Sequence, residues 1–163
     1  MTGLWMAKLA ASTSLTERTV TGFRDLTLPK NEWTHEAHLR VGLWHLTRYS
    51  PAEALDRLRD GIRAYNQATG VANTYDSGYH ETTTRFYVLI IADFLEMRDR
   101  TRDLDELANE LIAVRGDKRL PFRHYSEDLL MSSSARRRWI EPDLRPVPDS
   151  ARVTPAVSPE SES

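Results

Sequence analysis

The side chains of this sequence best suited to chemistry are its five histidines, His35, His38, His45, His80 and His124. A neutral imidazole can ligate a divalent metal or exchange a proton near neutral pH, so where each ring points decides its meaning. Advancing about 100° per residue along a helix, Trp33, Glu36, Arg40 and Thr47 fall on one side, the expected wet side. His38 falls almost opposite, flanked by His45 and His35, with Gly42 between them where a missing side chain leaves room for a neighbour or a ligand. On a later helix the same projection gathers Arg85, Asp93, Glu96 and Thr82 into a polar arc. His80 falls opposite that arc, on a stripe with Thr84, Tyr87 and Ile91, and Glu81 lies at the stripe's edge. Imidazoles on inward faces of two helices need hydrogen-bond partners or a metal, because buried polar groups are costly when unsatisfied.

The pattern predicts a divalent ion, Fe2+ or Zn2+, held by His35, His38 and His80 with Glu81 as the carboxylate ligand. Two histidines three residues apart on one helix can reach a common ion, and His80 near a helix N-terminus is biased toward the neutral, ligating form. Such a set leaves a position open for water on zinc, or for oxygen and substrate on non-heme iron. The expected function is a small metal-dependent enzyme, an oxygenase or hydrolase of a small molecule. Glu81 and Tyr87 would stand at its centre, and Arg123, in the run Arg123-His124-Tyr125, would orient an anionic substrate. The competing class is a non-catalytic helical binding or interaction module whose imidazoles are tied up in a buried hydrogen-bond network. His45 is expected to be satisfied locally, His124 to sit exposed in a loop, and Asn73 and Asp76 to serve as turn and cap residues.

Trp33-Thr34-His35-Glu36-Ala37-His38-Leu39, then Tyr79-His80-Glu81-Thr82, then Arg123-His124-Tyr125-Ser126, resembles an uncharacterised family of small bacterial helical proteins. That family carries F/W-x-H-x-x-H-L and Y-H-E-T motifs, and the likeness spans residues 26–125. The resemblance implies that His35, His38, His80, Glu81 and Thr82 belong together as a site, with other residues common at the position of His45. It implies no particular substrate.

The elements that must carry these residues are legible from punctuation. Ser14-Leu15-Thr16-Glu17 has capping-box spacing and predicts a helix over 15–26, ended by Pro29. Asn31 can cap a second helix through about Tyr49. Ser50-Pro51-Ala52-Glu53 starts a third, with Ser as N-cap and Pro at the first helical position, and Gly70 stops it. After a loop over 73–78, residues 79–98 read as a central helix, apolar around most of its circumference. Asp103 or Thr101 caps a fifth ending near Gly116, residues 118–125 form a loop, Ser126 starts a short helix, and a last fragment holds Trp139. With no strand alternation, the fold class is all-α: a bundle of about five helices plus short C-terminal helices.

Composition bounds the rest. The chain has 163 residues, 40% of them apolar, enough for one core. The domain is expected over 1–141, and 142–163, rich in Pro, Ser and Glu, reads as a disordered tail. Having no cysteine excludes disulfides and thiolate chemistry. Net charge is −2, with 22 basic and 24 acidic residues spread along the chain, so apart from Arg136-Arg137-Arg138 no basic stripe for nucleic acid is visible. The apolar run from Phe86 to Ile91 is too short for a membrane span, which needs about 20 residues. Leu4 to Ala11, broken by Lys8, does not read as an export signal, and the cytoplasm is the default expectation.

Overall fold

Capping chemistry sets nearly every boundary in the computed structural model, which describes residues 14–148. Ser14, Thr34, Ser50, His80, Asp103, Ser126 and Ser132 each accept a backbone N–H from the first turn of the helix that follows. The helices are α1 (Leu15–Arg24), α2 (His35–Arg48), α3 (Pro51–Ala68), α4 (Glu81–Glu96), α5 (Leu104–Arg115), α6 (Glu127–Leu130) and α7 (Ser133–Arg137). Short 3-10 turns lie at Lys30–Glu32 and Leu120–Arg123. No strand is present among the described residues, and the all-α reading holds. None of these helices is long and apolar enough to cross a membrane.

Helix α4 is the centre, as its composition predicts. Its buried residues Val88, Leu89, Ile91, Phe94 and Leu95 join Leu39, Val41, Leu43 and Leu46 of α2 and Leu107 and Leu111 of α5 in the main core. Its other flank, Phe86 and Ile90, packs with Leu120, Tyr125 and Leu130 in a second cluster beneath the C-terminal turns. Helix α2 meets α1, α3, α4 and α5, so the two histidine-bearing helices are neighbours.

Two faces differ from the projections. Arg40, placed on the wet side of α2, is only 8% exposed. It donates to Thr16 Oγ1 and Asn109 Oδ1 and pairs with Asp105 at 3.6 Å, because α1 and α5 cover that side. Thr82, placed in the polar arc of α4, is fully buried; it donates to the Arg138 carbonyl and accepts from the Ile140 N–H.

Residues 143–147, expected in the tail, make contacts of their own with the domain. Residues 139–147 form a strap across the domain. The Leu144 N–H donates to the His124 carbonyl, the Ser126 N–H to Asp143, and the Tyr125 hydroxyl to the Ile140 carbonyl, while Val147 packs on both cores. His124, expected in solvent, is buried under that strap, with Nδ1 against the Arg145 and Pro146 carbonyls. The tail beyond Pro148 lies outside the described residues.

Candidate functional site

Helices α2, α3 and α4 leave a cavity of about 420 Å3 between them. Leu39, Val41, Gly42, Leu58, Ile62, Val88 and Ile91 supply its apolar wall, and its polar groups come from His35, His38, Thr83, Thr84, Tyr87 and Lys118. Gly42 faces Ile91 across the gap; a Cβ there would come within 2.8 Å of Ile91 Cδ1, so a larger residue would require the end of the Ile91 side chain to shift.

His38 is an exposed polar group of this wall, as is Lys118. Its Nδ1 donates to the Thr34 carbonyl at 2.6 Å, which fixes the tautomer and leaves Nε2 as the acceptor. The ring stacks on Trp33 with centroids 3.7 Å apart, and Trp33 in turn stacks on Phe23. Although the ring lies deep in the fold it is exposed, because its open face borders the cavity. Desolvation pushes its pKa down to about 4, with the Thr34 carbonyl opposing and His35 adding to the shift.

His35 stands one turn away, its ring edge-on to Tyr87 at 5.5 Å. Both His35 Nε2 and Tyr87 Oη are buried without a hydrogen-bond partner, a costly condition. Burial pushes the His35 imidazole down, with the Lys118 charge adding to it. Burial pushes the Tyr87 phenol up to about 12, with Asp117 contributing. Asp117 is itself paired with Arg123 at 3.2 Å.

The structure divides the expected metal set. His80 is the N-cap of α4: its Nδ1 accepts the Thr83 N–H at 3.1 Å and its Nε2 donates to the Leu130 carbonyl at 2.9 Å. Both nitrogens are committed and neither borders the cavity. Glu81 turns the other way, gripped by both arms of the Arg59 guanidinium and by the Tyr79 hydroxyl. Burial pushes its carboxyl up, but the hydrogen bonds from Arg59 and Tyr79 and the Arg59 charge outweigh it and hold the group below the ordinary range. Among the described residues no three His, Asp or Glu side chains stand where they could share an ion. Arg123 is exposed on Asp117 and lines no part of the cavity. His45, as expected, is satisfied locally through the Val41 carbonyl at 2.7 Å. Asn73 is the loop organiser expected of it, accepting from Asn66 and the Tyr79 N–H.

Of the predicted residues, then, His35, His38 and Tyr87 come together and His80, Glu81 and Arg123 do not. Three groups at the site were not anticipated. Trp33 had a legible signal: an apolar residue just before the N-cap Thr34 packs on the fourth helical residue, here His38, as a hydrophobic staple. Thr83 and Lys118 had none, since their places depend on how α4 and the turn after α5 pack. Comparison with family models, with curated proteins and with solved structures returned no match. Fold and site together define a class: an all-α bundle with a largely apolar, histidine-bearing cavity between α2, α3 and α4.

Proposed function

We propose that this protein binds a small, largely apolar molecule in the cavity between α2, α3 and α4, through a ligand O–H or N–H that donates to His38 Nε2. One observation carries this reading: an apolar cavity lined by two imidazoles, His38 and His35, whose Nε2 atoms have no protein hydrogen-bond partner among the described residues, that of His38 belonging to an exposed ring. Small-molecule sites are concave and mostly apolar, with a few placed polar groups, and about 420 Å3 falls within their usual size range. A dry cavity of about 150 Å3 already holds benzene, so a bicyclic ring system fits this one. Three features set the acceptor: the Thr34 carbonyl fixes the tautomer, Trp33 fixes the ring plane, and the depressed pKa keeps the ring neutral throughout the physiological range. Binding is favoured over base catalysis because a general base works best with a pKa near the working pH, and about 4 lies well below it.

Naphthol tests the reading. Titrated into the full chain with nitrogen-labelled histidine, it should shift the His38 Nε2 resonance and leave that of His80 in place. Ile62→Trp, which fills the cavity from a half-buried position on α3, should abolish binding, as should His38→Ala. Saturable binding that survives Ile62→Trp would show that the molecule sits elsewhere and overturn the proposal.

A further inference from the structure

The cavity wall is electrostatically one-sided. Its lining contains one cationic side chain, Lys118, and no carboxylate. Asp117, beside Lys118 in the chain, does not line the cavity; it pairs with Arg123 at 3.2 Å, although its charge still reaches Tyr87 and His35, whereas no ion pair among the described residues involves Lys118. The charge of Lys118 is felt at His35, and His35 touches Tyr87, so one polar end of the cavity gathers the ammonium, the Tyr87 hydroxyl and the His35 ring. Tyr87 Oη and His35 Nε2 are the two buried polar atoms there that lack a partner. The other lining groups of α2, α3 and α4 are apolar or uncharged.

Resting on the binding reading above, we infer that the ligand is an organic monoanion. Its apolar body lies against Leu39, Leu58, Ile62 and Ile91, and its carboxylate meets Lys118, with the Tyr87 hydroxyl turning to donate. A carboxylate is the head that suits the donors of this end: it accepts from the ammonium and the phenol, and it balances the one unpaired charge of the wall. A neutral ligand leaves the Lys118 charge unbalanced. A cationic one meets Lys118 with like charge, a repulsive element that selects against it.

Hydroxynaphthoate and naphthol, titrated into the full chain by calorimetry, separate this inference from the reading beneath it. The hydroxynaphthoate carboxylate should raise affinity over naphthol about tenfold, the worth of one charge-assisted hydrogen bond. Lys118→Ala should remove most of that gain and Lys118→Glu all of it; Lys118 is exposed, so neither change disturbs the core. Tyr87→Phe should lose part of the same gain. If naphthol and hydroxynaphthoate bind equally and both ignore Lys118→Glu, the anion inference falls while the cavity reading stands. If neither binds the parent chain, the binding reading itself falls, and the inference with it.

Discussion

The contrast between His80 and His38 gives the sharpest test of where the chemistry lies. Replacing His80 by Ala removes a side-chain N-cap, worth about 0.5–2 kcal/mol. It also strands the Leu130 carbonyl, an acceptor inside the second core cluster, at about 1–3 kcal/mol. The two losses occur at opposite nitrogens of one ring, and together they should cost about 1.5–5 kcal/mol. His80→Asn restores the cap oxygen without reaching Leu130 and should recover roughly the cap share alone. His38→Ala breaks the bond to Thr34, whose carbonyl also accepts the His38 N–H, and the stacking on Trp33, but it opens space that is already a cavity; it should cost about 1 kcal/mol. Urea unfolding of the three variants, repeated with Zn2+, Fe2+ and EDTA, checks the assignment. Equal small losses for His80→Ala and His38→Ala, together with a metal-dependent stabilisation of the parent that both variants abolish, would refute it and restore a shared ion.

The remaining expectations use different handles. Burial depresses the pKa values of His35, His38, His45 and His80, so the unfolded chain takes up protons before the folded one does. Stability should therefore be full above the ordinary value of 6.5 and fall as pH drops from 6.5 toward the folded values, that of His38 being about 4. A calorimetric scan over that window should show a shallower fall in His38→Ala, and an identical slope would contradict the account. Leu26 sits at φ 61° just past α1, where glycine is the natural residue, and its side chain is 42% exposed. Leu26→Gly should stabilise the protein by about 1 kcal/mol in a denaturant titration. Truncation after Glu141 removes the Leu144 and Arg145 N–H donors, the carbonyls facing His124, and Val147; it should lower the melting temperature by several degrees, whereas an unchanged melt would show that the strap adds no stability.

Local chemistry was legible and long-range pairing was not. The caps Ser14, Ser50, Asp103 and Ser126 and the stop at Gly70 follow from side chains within three or four residues of one another, and the structure has them where the sequence puts them. The second helix begins at Thr34 rather than Asn31, because Pro29 opens a separate 3-10 turn over Lys30–Glu32 before the chain can enter α2. Helical projection placed His38 and His35 correctly toward the interior. It failed for His80, which as the cap residue has an extended backbone (φ −129°, ψ 107°) and so lies off the helical wheel. Glu81 was beyond projection for another reason: its partner Arg59 is 22 residues away on α3, on a face that reads as ordinary solvent-facing charge. Arg40 and Thr82 failed likewise, each polar group being satisfied by an element that the sequence does not mark as adjacent.

The first turn of α4 does two jobs at once. Thr82 is locked to the strap through Arg138 and Ile140, while Thr83 and Thr84, its immediate neighbours, form part of the cavity wall. The Ile140 amide proton, which donates to Thr82 Oγ1, should then exchange with solvent at a rate set by how often the strap lifts. A protease that nicks residues 139–147 would widen the pocket from behind, without touching any residue that lines it. Conversely, a ligand that tightens the wall would slow exchange at Ile140, on the far side of the helix.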